Sequence, residues 1–267
     1  MKCGTMMKCY LINLDASTDR LSRFNAANGI AGFEVVRISG VDGRTMSPES
    51  QQAYRANTKG PFHLGGGMIG CFLSHRKAWQ YVVDGAEPWA FVCEDDAVFT
   101  PNCEALFRDA DWLTGQMDIV KAETVLQKVE VGCKPIAQVG PFAVRKLKSH
   151  HRGGAGYFIN TDSAKRLLEL SEEFCDPPDD VLFDPALGIA PHFRIFQIDP
   201  AICIQEYKLG GEYDSMTSSP VPLPGERLSF GFAKVCREFV RILRGVRHIV
   251  LSVLGISDFK KISYNPE

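Results

Sequence analysis

The chain has 267 residues, of which 45% are hydrophobic, and a formal net charge of −2. That apolar content supports one large domain, or one domain with an appendage, and the near-neutral charge excludes a general nucleic-acid binder. Nine cysteines, an odd number with no C-x-x-C pair, fit reduced and mostly buried thiols better than a disulfide framework. The apolar start, Met6 to Leu14, runs into Asn13 and Asp15 and reads as a strand, not a signal peptide. No run approaches the ~20 residues that span a bilayer. The expectation is a cytoplasmic protein, peripheral on the inner face of the membrane if its surface binds lipid.

From the start, CYLINLDASTDRLSRF reads as a strand, a turn and a helix opened by Ser17 or Thr18. FEVVRISGVDGR, residues 33–44, reads as a second strand and a turn at Gly43. Residues 45–64 read as a short helix and a polar loop. A helix over residues 67–83 follows, with Ile69, Phe72, Leu73, Trp79 and Tyr81 on its apolar face. Trp89 to Cys93 is a continuous apolar run, as expected of a parallel strand covered on both faces. Glu94, Asp95 and Asp96 follow it directly. Strand ends of open α/β sheets face the ligand crevice, and three adjacent carboxylates there call for a cation, with oxygen ligands suited to magnesium or manganese. A solvated acidic turn that begins a helix fits the same triplet.

GCFLSHRKAW, the apolar strand and EDD together resemble glycosyltransferase family 25, the lipooligosaccharide galactosyltransferase type. Its members carry a G-x-x-G-C-x-x-S-H-x-x-x-W helix and then a strand ending in EDD. The resemblance covers roughly residues 8 to 210 and departs at Met68, where many relatives have Glu or Ala. It implies a GT-A-like fold and extends to the first strand, with Asn13, Leu14, Asp15, Asp19 and Arg20 in the places of the family's N-L-D and D-R. Asn13 and Asp15 are then candidates to hold a nucleotide's base and ribose. Arg20 contacts a phosphate or braces Asp15. Val41, Asp42 and Gly43 match a V-D-G turn, where Asp42 either approaches the nucleotide or only stabilises the turn. Ser74 and His75 are implied to line the site, although a buried packing histidine fits the helix equally.

Beyond EDD, PNCEALFRDADWL reads as one helix, so Asp109 and Asp111 do not share a face. MDIVKAET is a strand with Lys121 and Glu123 at its end, similar to the family's D-I-x-K-x-E. Residues 125–150 read as strands or a hairpin over the site. In SHHRGGAGYFIN the glycines permit close backbone approach, Tyr157 to Ile159 forms a strand, and His150 and His151 are further candidate ligands. DPPDDVLFDPAL, residues 176–187, is a third acidic cluster, in which Asp179 or Asp180 caps a short helix or one of them serves as general base. Relatives have P-V-D here, which places Asp179 first. HFRIFQID and AICIQ are the last strands, with Gln205 matching a family glutamine.

From residue 220 the character changes. The prolines of residues 220–226 read as a linker between a catalytic domain, residues 1–219, and a basic amphipathic helical tail, residues 227–267. Eight Lys and Arg against Glu238 and Asp258 give residues 227–261 a charge of +6, which leaves −8 for the rest of a chain whose net is −2. Such a helix either lies on an anionic membrane or packs on the domain.

The fold expected is therefore α/β, a mostly parallel sheet flanked by helices, with a basic C-terminal helical extension. The resemblance implies inverting, metal-dependent transfer of a hexose, galactose from UDP-galactose, to a lipooligosaccharide or related glycolipid acceptor. Asp96 is the expected ligand of Mn2+ or Mg2+, Asp95 a supporting one, Glu94 a ribose contact or a group that orients the other two, and Asp179 the base. A metal-dependent phosphohydrolase and a catalytically silent glycan-binding protein are the rival readings.

Overall fold

A computed structural model describes residues 7–29, 32–60, 62–210, 221–222, 247 and 250–266. The strands in chain order are Lys8–Asn13 (β1), Glu34–Ser39 (β2), Phe62–His63 (β3), Trp89–Glu94 (β4), Ala97–Phe99 (β5), Ile119–Lys121 (β6) and Lys128–Gly132 (β7). Ala137–Val139 (β8), Phe142–Lys146 (β9), Gly156–Asn160 (β10), Ile195–Asp199 (β11), Cys203–Gln205 (β12), Val221–Pro222 (β13) and Ser257–Lys261 (β14) complete them. The helices are Thr18–Asn28 (α1), Pro48–Ala56 (α2), Gly66–Asp84 (α3), Glu104–Arg108 (α4), Thr161–Leu170 (α5) and Pro178–Phe183 (α6).

Eight strands form the central sheet in the order β2-β1-β4-β10-β6-β11-β9-β8. β1 runs parallel to β2 and β4, and β6 parallel to β11, while β10 and β9 run against their neighbours. The α/β, mostly parallel sheet flanked by helices is thus the observed architecture. Alternation along each strand splits the core in two. Tyr10, Ile12, Val92, Tyr157 and Ile159 pack with Trp79 and Phe72 of α3. Cys9, Leu11, Phe91, Cys93 and Phe158 pack on the other face with Phe24 of α1 and Phe107 of α4. The carboxyl ends of β1 and β4 lie side by side, with Ile12 opposite Glu94. That register sets the first and third motifs of the sequence against one another.

Three local expectations need correction. The helix after β5 ends at Arg108, and Asp109 accepts the Asp111 N–H at 3.0 Å in a turn, so helical periodicity does not govern that acidic pair. Ser17 stands at the N-cap of α1 without a side-chain hydrogen bond. Pro177 caps α6, which puts Asp179 and Asp180 in its first turn with neither as the cap.

The expected helical tail also departs from its pattern at its end. Residues 223–246 lie outside the described residues, but Ser257–Lys261 is a strand paired antiparallel with β7. Ile262 is fully buried, its carbonyl accepts from Thr124 Oγ1 at 2.9 Å, and the Ser263 carbonyl accepts from Ala201 N at 2.8 Å. Arg247 Nη1 lies 2.7 Å from the buried Glu130 carboxylate, which also accepts from Ser257 Oγ at 2.8 Å. A carboxylate buried in β7 needs such partners, because a lone charge there is costly. Among the described residues, no helix is long and apolar enough to cross a membrane.

The C-terminal strand is therefore part of the folded domain. Ile262→Ala should cost about 2–4 kcal/mol, the scale of an emptied aliphatic core position. Urea unfolding followed by circular dichroism measures this, and an unchanged midpoint would show that the strand packs too loosely to matter.

Candidate active site

An open cleft of about 630 Å3 lies over the carboxyl ends of β1 and β4. Its walls include Asn13, Arg20, Asp42, Arg44, Gly67, Ser74, Glu94 and Asp95. The loop after β2 reaches it because three glycines allow backbone to touch backbone. A Cβ on Gly70 would sit 2.3 Å from the Val41 carbonyl oxygen, and one on Gly43 would sit 2.1 Å from that of Gly66. Ser74 ties the same loop down: its hydroxyl donates to Gly70 O at 2.7 Å and accepts from Val41 N at 2.8 Å. Asp42 closes the loop on itself by accepting from Arg44, which holds its carboxyl below the ordinary range.

The acidic triplet divides into three environments. Asp95 accepts from Asn13 Nδ2 at 2.7 Å and from the Arg20 guanidinium. Both its oxygens are thereby engaged, which sets it apart from the expected supporting metal ligand. Asp96 Oδ2 accepts from Gln205 Nε2 at 3.2 Å, and its Oδ1 is buried with no hydrogen-bond partner. Burial, then the neighbouring Glu94, pushes its carboxyl well above the ordinary value. Glu94 is raised to about 7 for the same first reason, with Asp95 next. Arg20 braces Asp95, and also stands 3.6 Å from Asp96. The exposed Asp15 is held instead by Arg37 at 2.6 Å and Ser39 at 2.7 Å. Arg37, which the sequence did not single out, also donates to Asn13 Oδ1 at 2.8 Å.

His75 lies behind the cleft wall. It is fully buried, Nδ1 is 2.9 Å from Tyr157 Oη, and Nε2 is 3.1 Å from Glu94 Oε1. Trp79 Nε1 donates to the same Tyr157 oxygen at 2.8 Å. Indole N–H only donates, so the Tyr157 hydroxyl gives its proton to Nδ1 and His75 turns Nε2–H toward Glu94. Burial lowers the His75 pKa to about 4 and keeps the ring neutral. The histidine therefore aims a carboxylate; it does not line the cleft.

The loop before β10 brings the remaining candidates together. Lys121 and Glu123 are fully buried, 3.2 Å apart, and Lys121 also donates to the Gly153 carbonyl. Gly153 N donates to Asp179 Oδ2 at 2.8 Å, and Ala155 N to Glu123 Oε2 at 2.9 Å. Gly153 has φ +89°, and a Cβ there would lie 2.5 Å from the Glu123 carboxylate. A Cβ on Gly154 would lie 3.5 Å from Glu94 Oε1 and 3.8 Å from Asp179 N. The Asp179 and Glu123 carboxylates, distant in sequence, thus meet at Gly153, with Glu94 beside the next residue. Asp180 instead lies 3.1 Å from His150 Nε2, and His151 bonds Gln197 at 2.7 Å, deep in the core.

Asp96 suits a hard divalent cation by its buried oxygen, which no protein group satisfies. Glu94 is the carboxylate beside it whose ionisation a cation would restore. Two groups also place ligand atoms within 4.8 Å of one another: Cys71, His75 and Glu94, and His150, Asp179 and Asp180.

The description "Glycosyltransferase family 25 (LPS biosynthesis protein)" matches residues 6–182. The lipooligosaccharide biosynthesis protein lex-1 of Haemophilus influenzae is 29% identical over 164 residues, 57% of this chain and 53% of that protein. The lacto-N-neotetraose biosynthesis glycosyltransferase LgtB of Neisseria gonorrhoeae is 27% identical over 216 residues, 75% of each. The chain thus spans about half the length of the first of these relatives. Among solved structures, galactosyltransferase LgtC in complex with donor and acceptor sugar analogs aligns at 16% identity with a TM-score of 0.36, covering 72% of this chain and 73% of that one.

Glu94 and His75 predict opposed pH effects on the metal-free protein. Glu94 holds its proton more tightly when folded, so the stability it confers is present below its ordinary 4.5 and lost as pH rises through about 7. His75 confers stability above its ordinary 6.5 and loses it as pH falls toward 4. Glu94→Gln should therefore spare the protein a loss on the order of 2 kcal/mol between pH 5 and pH 8. Urea titrations of both forms at the two pH values check this, and parallel pH curves would refute it.

Proposed function

Because the chain belongs to glycosyltransferase family 25, we propose that it transfers a hexose from a nucleotide sugar to a glycan hydroxyl with inversion. Galactose from UDP-galactose is the donor we favour, and a lipooligosaccharide or related glycolipid the acceptor. The observation that carries the reading is that Glu94 Oε1 and the backbone of Asp179 both approach Gly154, 3.5 Å and 3.8 Å from where its Cβ would stand, beside the Gly153 amide that holds the Asp179 carboxylate. Glu94 lines the cleft that suits a nucleotide diphosphate, and Asp179 is a half-buried carboxylate that does not line it.

Several features suit the donor. The amino end of the 19-residue α3 opens on the cleft at Gly67, with no acidic residue in its first turn. The positive end of the helix dipole favours a diphosphate there, as do the Arg20 and Arg44 guanidinium groups on the same wall. Asn13 is fixed by Arg37 and Asp95, which orients its amide at the strand end for the nucleoside. A divalent ion held by Asp96 and Glu94, when bound, would offset the charge of the departing UDP. Asp95 braces Arg20 and Asn13 in place.

On the other side, Asp179 takes the proton of the acceptor hydroxyl as that oxygen attacks the anomeric carbon. The bond from that carbon to the diphosphate oxygen breaks, and its electron pair leaves with UDP. The Gly153 amide holds the Asp179 carboxylate in place, and Lys121 holds Gly153 through its carbonyl. Glu123 anchors the same loop at Ala155. Rival phosphohydrolysis would need only the cleft, and would consume donor with no acceptor present.

Two variants and one control test this. Asp179→Asn should lower turnover by ~10²-fold or more, the scale of general-base catalysis, with donor affinity nearly unchanged. If Asp180→Asn is the damaging change instead, the base is its neighbour. Asp96→Asn should keep its fold by circular dichroism yet lose the manganese dependence of UDP binding in calorimetry. A nucleotide sugar consumed equally with and without glycan acceptor would replace the transferase with a hydrolase.

A further inference from the structure

A second groove, of about 420 Å3, opens at the far end of α6, between residues 146–149 and residues 185–193. Its floor is apolar and includes the buried Phe183, with Pro191 and Phe193 along one wall. The opposite wall carries Lys146 and Lys148, both exposed, with buried Leu147 between them. Residues two apart on an extended chain share a face and lie roughly 7 Å apart, so the two lysines flank the groove from the same side. Lys148 Nζ donates one of its three hydrogens to the Ile256 carbonyl at 2.9 Å and keeps the others. The guanidinium of Arg166 lies 5.7 Å from the centre of the Phe193 ring. None of the described residues lining the groove is acidic. The nearby Asp184 carboxylate is turned to His150, 3.7 Å away.

We propose that this groove is a second acceptor subsite, and that it takes a phosphorylated sugar residue of the acceptor glycan while the accepting hydroxyl sits at Asp179. This rests on the reading of the crevice given above. The charge fits: a phosphate monoester carries about −1.5 to −2 at neutral pH, which two lysines match. The apolar wall fits the C–H faces of the sugar that bears the phosphate, as aromatic and proline rings pack against apolar ligand surface. The distance fits as well. α6 has six residues, roughly 9 Å of helix, with Asp179 in its first turn and Phe183 at its end. An oligosaccharide bridges that span.

The test compares a glycan acceptor with its phosphorylated counterpart, on the full chain and on Lys146→Gln, an exposed change remote from the cleft. The full chain should show KM for the phosphorylated acceptor about tenfold lower than for the neutral one, the scale of a charge-assisted hydrogen bond or two. kcat should be similar for both, and Lys146→Gln should erase the difference. Equal KM values in the full chain, or a preference retained by Lys146→Gln and by Lys146→Gln/Lys148→Gln together, would overturn the subsite. Calorimetry with the phosphorylated glycan alone reports on the groove independently of transfer. Lysine-dependent binding there with no transfer to any acceptor would retain the groove and discard the crevice reading. Sedimentation with anionic phospholipid vesicles that depends on Lys146, with no binding of the phosphorylated glycan, would assign the groove to lipid and overturn the proposal.

Discussion

Placing three carboxylates at the buried end of β4 is the constraint on which the rest of the site depends. A sheet covered on both faces gives that strand end little water, and an unsatisfied carboxylate there costs several kcal/mol. The chain answers differently for each member. Asp95 receives an amide and a guanidinium, Glu94 receives a histidine N–H, and Asp96 receives one glutamine amide and keeps a bare oxygen. Of the three, only Asp96 keeps a buried oxygen that no protein group satisfies. In the proposed reaction the fixed Asp95 would hold the wall still while Asp96 would receive the cation.

The same logic extends outward through partners that do not touch the cleft. His75 can orient Glu94 only if its own tautomer is set, and Tyr157 and Trp79 set it from α3 and β10. A neutral imidazole is what burial favours, so the ring serves as a directed donor and not as a charge. On the far side of Gly154, the buried Lys121 and Glu123 compensate one another and grip successive peptide groups of one loop. That loop then presents its next free amide to Asp179. Glycine at 153 is required by its positive φ, and any side chain there would collide with Glu123. A loop of small residues thus becomes rigid through buried charge.

Much of this was legible in the sequence, for identifiable reasons. The apolar run Trp89 to Cys93 read as a buried strand, with the acids after it either at a crevice or in a solvated turn, and periodicity gave α3 directly. The glycines of residues 153–156 advertised close backbone approach. Arg37 was not legible: an arginine inside an exposed-looking edge strand carries no local signal, and its bonds to Asn13 and Asp15 exist only once β1 and β2 pair in register. Of the two roles open to Arg20, a phosphate contact or a brace on Asp15, the second goes to Arg37, and Arg20 braces Asp95. The final strand was hidden by composition. Lys260 and Lys261 look like the end of a basic helix until Glu130 and Asp199, acids of distant strands, are seen to face that segment.

α6 joins the two halves of the proposed reaction. Its first turn carries Asp179 against the loop that also touches Glu94, and its last residue, Phe183, forms the floor of the basic groove. Lys121 Nζ stands 4.4 Å from the centre of the Phe183 ring while it donates to Gly153. The two ends of the helix are therefore fixed by one buried ammonium group, through a cation–π contact at one end and the Gly153 peptide at the other. A sugar held in the groove would be registered against the base by a rigid body instead of by a flexible tether. Such registration is what converts weak contacts along a glycan into orientation of one hydroxyl. The proposed reaction would thereby separate its tasks physically, with donor charge handled at the end of β4 and acceptor choice along α6.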